Sequence, residues 1–216
     1  MSDADVTVVI IDDEGLVRSG LSLILNASPG ITVVGAASSA TAVALIEAEK
    51  PDVVLLDIRM PAPDGLTILR QVMASDRPPI VAMLTTFDTS DLVLEALHRG
   101  ASGFLLKDTD PELLARHVLT LADGGLLLAP QLKQKRLFRA QEEDPRAAAV
   151  ATLDARETTI LVEIAKGHSN AEIAAETGLP LGTVKDAVSR VLAVLGVSSR
   201  VEAAILADRV GLGPDL

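Results

Sequence analysis

The chain has 216 residues, enough for two domains of ordinary size, and carries 30 acidic against 19 basic side chains for a formal net charge of -11. Cysteine, tryptophan and tyrosine are absent, which excludes disulfides and thiolate metal centres and leaves any core aliphatic. The charge is uneven: residues 1–130 hold 8 basic and 18 acidic side chains, 131–146 hold 5 and 3, and 147–216 hold 6 and 9, so the acidity belongs mainly to the first half.

Val6–Ile11 is the first apolar run, too short for a signal segment and without a basic leader, so a cytoplasmic protein with no membrane attachment is expected. Four more β-rich runs follow at Ile31–Ala36, Val53–Leu56, Ile80–Leu84 and Gly103–Leu106. Amphipathic stretches at Leu16–Asn26, Ala40–Lys50, Leu66–Ala74, Asp91–Arg99 and Pro111–Ala122 separate and follow them. Near-continuous apolar strands need helices on both faces, which predicts a doubly wound parallel sheet with its ligands at the carboxyl ends of the strands. Gly124 and Gly125 close this α/β pattern, giving a domain over 1–125 and a polar linker over 126–150, with a partly helical linker as the alternative. From 151 to 216 the pattern is helical only, in four segments, an all-α domain.

The strand ends carry the chemistry. Asp12 and Asp13 follow Ile11, Asp57 follows Leu56, Thr85 follows Leu84 and Lys107 follows Leu106, so the topology gathers them at one sheet edge. Three carboxylates together repel one another unless a cation compensates, and hard oxygen ligands suit Mg2+. Asp57 could attack a phosphorus atom to form an aspartyl-phosphate, with Thr85 and Lys107 offering a hydroxyl and an ammonium to the phosphoryl oxygens. Taken singly, each has a bland alternative as a helix cap, a turn residue or a solvated charge.

The stretches Val8–Glu14, Leu55–Pro61 with Asp64-Gly65, Leu84-Thr85-Thr86 and Gly103–Lys107 resemble the receiver domains of two-component response regulators over about residues 5–123. The resemblance implies a flavodoxin-like receiver in which Asp57 is phosphorylated by a sensor histidine kinase. It implies Mg2+ bound by Asp12 or Asp13, Asp57 and the Arg59 backbone carbonyl, with Thr85 and Lys107 on the phosphoryl group. Phe104, three residues before Lys107, matches the family's aromatic switch position, with a core phenylalanine as the alternative.

Leu153–Glu157, Gly167–Ala174, Gly182–Lys185 and Leu195–Val197 resemble the LuxR-type helix-turn-helix, so the whole chain is similar to the NarL/FixJ response regulators. The implied function is phosphorylation-controlled dimerisation and binding to promoter DNA, with no enzymatic role beyond the receiver's own phosphoryl chemistry. On the recognition helix, Val184, Val188, Val191, Leu192 and Leu195 are expected inward; Lys185, Asp186, Ser189, Arg190 and Ala193 are expected outward. Thr183, Lys185, Ser189 and Arg190 are the expected DNA contacts, Lys185 and Arg190 foremost. Asp186, Ala187, Val194 and Ala171 depart from the family pattern, and an Asp facing phosphates is repulsive unless it reads cytosine or caps its own helix three residues after Thr183. The acidic face leaves open a regulator that acts through protein contacts with weakened or lost DNA binding. An aspartate-based hydrolase is a further alternative, but the second position of its Asp-x-Asp pattern is Arg59 here. The last helix, about Val201–Arg209, is the expected dimer contact of the phosphorylated form.

Overall fold

In the computed structural model, residues 5–85, 90–127 and 146–213 are described, apart from the side chains of Ser90, Asp91, Val93 and Leu94. Most of the expected linker therefore lies outside the described residues. The chain divides into two compact units between Ala122 and Asp123.

The first unit holds five strands, β1 (Val6–Ile11), β2 (Ile31–Ala37), β3 (Val53–Asp57), β4 (Ile80–Thr85) and β5 (Gly103–Leu106). All pair in parallel in the order β2-β1-β3-β4-β5. Burial explains their composition: every residue of β3 and all but the first of β4 are buried, whereas in the edge strand β2 Ile31 alone is buried. The helices are α1 (Gly15–Asn26), α2 (Ala42–Glu49), α3 (Gly65–Met73), α4 (Ser90–His98) and α5 (Pro111–Ala122). Helix α2 starts two residues later than the sequence predicts because a 3-10 turn at Ser39–Thr41 precedes it. Asp57 and Thr85 close their strands rather than follow them.

After β2 the chain crosses to the far side of β1 to lay down β3, so the strand order reverses between these two. Their carboxyl ends open the crevice in which doubly wound sheets bind ligands. Glycine is needed at position 65, the first residue of α3, because a Cβ there would strike the Asp57 carbonyl oxygen and lie 2.8 Å from Ile58 Cα. Asp64 caps the same helix, accepting the Thr67 N–H at 2.7 Å.

The second unit contains α6 (Ala147–Val150), α7 (Ala155–Ala165), α8 (Asn170–Thr177), α9 (Leu181–Leu195) and α10 (Arg200–Arg209). Helix α6 falls within the stretch expected as linker, and its Val150 belongs to the core formed by Ile160, Leu161, Ile164, Ile173, Val184, Val188, Val191, Leu195 and Leu206. Reciprocal capping boxes start α7 (Asp154 with Glu157) and α8 (Ser169 with Glu172). Helix α9 begins at Leu181, with Pro180 at its cap and no side-chain cap bond. Thr183 is thus already the third helical residue, and the expected cap linking Thr183 and Asp186 does not form. Pro180 supplies the fixed φ from which a helix can start, and Gly182 is accommodated within it.

Candidate functional site

Strand register alone brings the predicted residues of the first unit into a row. Ile11 pairs with Leu56, Asp57 with Leu84, and Thr85 with Leu106. Asp12, Asp57, Thr85 and Lys107 therefore stand at neighbouring strand ends, pinned by backbone bonds from Ile58 N–H to the Leu84 carbonyl (3.1 Å) and from Lys107 N–H to the Thr85 carbonyl (3.0 Å).

Lys107 lies at the centre of the cluster. Its Nζ is 2.8 Å from Asp12 Oδ2, 3.0 Å from Asp57 Oδ2 and 3.2 Å from Glu14 Oε1. Burial opposes its charge, but the ion pairs with Asp12 and Asp57 prevail and hold the ammonium protonated well above the usual lysine range. Asp57 is 4% exposed. Burial pushes its carboxyl above the usual value of 3.8, Asp12 repels it further, and Lys107 with the Arg59 N–H on Oδ1 (3.2 Å) works the other way. The Asp57 carboxylate is thus desolvated, held in place and one strand away from a hydroxyl, since Thr85 is buried at 5% exposure. Phe104 is buried on β5 and pairs in register with Met83.

Asp12 is fully buried; its Oδ1 takes the Glu14 N–H at 2.8 Å, and its backbone carbonyl accepts from Arg18. Oδ2 has the Lys107 ion pair at close range but no aligned hydrogen bond, leaving a buried carboxylate oxygen short of a donor. A hard cation fits such an oxygen, beside a second carboxylate at Asp57. Asp13 is not brought to this point: its carboxylate accepts the Ser39 N–H (2.9 Å) and lies 3.3 Å from Ser39 Oγ, anchoring the turn after β2. Accordingly, among the described residues no three His, Cys, Asp or Glu side chains gather as a metal-holding group. Glu14 is the pocket residue that strand-end reasoning missed; its signals were its position directly after the paired aspartates and its place in the Val8–Glu14 stretch.

On the second unit the helical spacing of α9 holds. Val184, Val188, Val191 and Leu195 are buried and Leu192 is half-buried, while Lys185, Asp186, Ser189, Arg190 and Ala193 are exposed and Thr183 is half-buried. Two of the expected contacts also have partners within the domain. Ser189 Oγ donates to the Lys185 carbonyl at 3.0 Å, and Arg190 Nε lies 2.7 Å from Oε1 of the buried Glu157. This pairing leaves most of the Arg190 guanidinium exposed while fixing its root. Glu157 is a contributor that the sequence disclosed only as the last residue of the Leu153–Glu157 stretch.

Residues 8–119 match the family of response regulator receiver domains, and residues 151–207 match the luxR family of bacterial regulatory proteins. The chain is 34% identical to the transcriptional regulatory protein LnrK of Bacillus subtilis, over 96% of this chain and 98% of that protein. It is 36% identical to the DNA-binding transcriptional activator DevR/DosR of Mycobacterium tuberculosis, over 95% of each. The crystal structure of ChrA, the response regulator of a heme-sensing two-component system, matches with a TM-score of 0.53 at 34% identity, covering 97% of this chain and all of that one.

Proposed function

The chain belongs to the two-component response regulators that join a receiver to a LuxR-type DNA-binding domain, and we propose that Asp57 is the residue at which its transcriptional output is switched. The observation that carries this reading is the Lys107 ammonium held between the Asp12 and Asp57 carboxylates. That arrangement keeps a buried nucleophile ionisable and stations a cation where phosphoryl oxygens would arrive.

An Asp57 carboxylate oxygen attacks the phosphorus of a phosphohistidine on a sensor kinase; the new O–P bond forms as the P–N bond breaks, and the imidazole leaves with the electron pair. Lys107 and the Thr85 hydroxyl then bind the phosphoryl oxygens, and Lys107 loosens its hold on Asp12 and Glu14. Asp12, Asp57 and the Arg59 carbonyl would hold Mg2+, joined by Asp13 if it gives up Ser39. Bound there, the ion supplies charge neutralisation for the transferring group. Because Thr85 closes β4 and Lys107 directly follows β5, their rearrangement reaches Phe104, the residue we assign to the switch. Lys185, Arg190, Thr183 and Ser189 are the proposed DNA contacts of α9, and the phosphorylated chain acts as a homodimer in the cytoplasm. No described helix is long and apolar enough to cross a membrane.

Exposed Asp186 within the recognition face favours a second reading, control through protein contacts with weakened DNA binding. Mobility shifts on the DNA upstream of its own gene, before and after acetyl phosphate treatment, separate the two. A specific complex that strengthens on phosphorylation, and fails to strengthen in Asp57→Asn, supports the first. Absence of any specific complex at low salt supports the second.

A further inference from the structure

In a helix-turn-helix, the first helix of the motif crosses the DNA backbone, and free N–H groups at a helix N-terminus are natural phosphate ligands. Helix α8 is that first helix, and its N-terminus is already occupied. Asp123, the first residue of the second unit, accepts the Asn170 N–H on its backbone carbonyl at 2.9 Å and the Ala171 N–H on carboxylate Oδ2 at 2.9 Å. The Ser169 hydroxyl takes the next amide, Glu172 N–H.

A buried cation backs the same spot. Arg200 is 8% exposed, its Nη1 donates to Asn170 Oδ1 at 2.9 Å, its Nη2 donates to the His168 carbonyl, and its Nε is buried with no hydrogen-bond partner. Burial pushes the guanidinium down to about 10, and the Asp123 and Glu172 charges act against that fall. The fit around Asp123 is close: Gly124 has a positive φ of 81°, and a Cβ there would lie 2.6 Å from Asn170 Nδ2 and 3.3 Å from Arg200 Nη1. Yet Ala171 itself is exposed, so the amide that Asp123 covers faces a surface that an incoming duplex could reach.

We propose that the Asp123 carboxylate occupies a DNA-phosphate site at the N-terminus of α8, so that this side chain and the DNA backbone compete for the Ala171 amide. The contact is a built-in brake on the output domain. It rests on the reading that this domain binds DNA.

The test compares full-length wild type, Asp123→Ala and Asp123→Asn on a fluorescein-labelled mixed-sequence duplex by anisotropy, over a range of salt. Glu176→Gln serves as the charge control, because it removes one negative charge from an exposed position of the same helix. Freeing a charge-assisted site is expected to tighten binding by Asp123→Ala about tenfold and to steepen the salt dependence by about one phosphate, while the control moves affinity by less than about threefold. Asp123→Asn keeps an acceptor for the amide without the charge, and carries the test if the alanine variant unfolds. If phosphorylated wild type binds and the Asp123 variants stay within about twofold of the control, the brake is refuted and DNA binding stands. If no form binds even at low salt, both readings fall.

Discussion

Replacing Lys107 by methionine keeps the length of the side chain and removes its charge from the carboxylate cluster. The ammonium lies 2.8 Å from Asp12 and 3.0 Å from Asp57, both buried, and at an effective dielectric of about 20 each contact is worth about 6 kcal/mol before desolvation. Desolvation of the three groups offsets several kcal/mol each, and Glu14, 68% exposed, adds little. The expected net loss at neutral pH is about 3 kcal/mol, the lower part of the range seen when one partner of a buried ion pair is removed. Because the chain has no tryptophan or tyrosine, urea unfolding is followed by far-UV circular dichroism. Two compact units mean that the receiver's transition must be resolved from that of the second domain. Asp57 already has a raised pKa and rises further without Lys107, so protonation on acidification relieves the variant and its deficit shrinks. Added Mg2+ should restore more stability to the variant than to wild type. A loss below about 0.5 kcal/mol at neutral pH, unchanged by acid, would refute the view that Lys107 balances this cluster.

Gly65→Ala should cost about 1–3 kcal/mol and slow phosphorylation, because its Cβ meets the Asp57 backbone; thermal melts and acetyl phosphate kinetics check both effects. As Asp57 must be ionised to attack and burial raises its pKa, the phosphorylation rate should fall with acidification while ordinary carboxylates are still charged, which a pH–rate profile reads directly. Glu157→Ala removes both a capping-box partner and the anchor of Arg190; expected are a loss of about 1 kcal/mol in stability and weaker DNA binding, measured by melting and anisotropy. Glu172 is held below its ordinary value of 4.5 by the Ser169 backbone and hydroxyl bonds. Its stabilisation is present above 4.5 and is lost as pH falls through the lowered folded value, so Ser169→Ala should flatten that part of the stability profile.

Local apolar patterning made the sheet legible. Runs such as Val53–Leu56 could only be buried strands, and parallel topology then required Asp12, Asp57, Thr85 and Lys107 to share an edge. The same reasoning sorted the faces of α9 correctly, because burial of Val184, Val188, Val191 and Leu195 follows from helical spacing. What escaped depends on contacts between residues distant in sequence. Asp13 turns toward Ser39, 26 residues on, and Arg190 pairs with Glu157, 33 residues back; neither preference is written in the spacing around those residues. Helix α9 starts at Leu181 behind Pro180, so Thr183 lies inside the helix and not at the cap that its spacing to Asp186 suggested. A partly helical linker is one reading of the polar stretch, but the place of α6 depends on packing Val150 into the helical core, which local sequence does not show.

The central claim, that Asp57 carries the phosphoryl group, is tested most directly by intact mass after incubation with acetyl phosphate and Mg2+. Wild type should gain one phosphoryl adduct and Asp57→Asn none; an adduct that persists undiminished in Asp57→Asn would contradict the account.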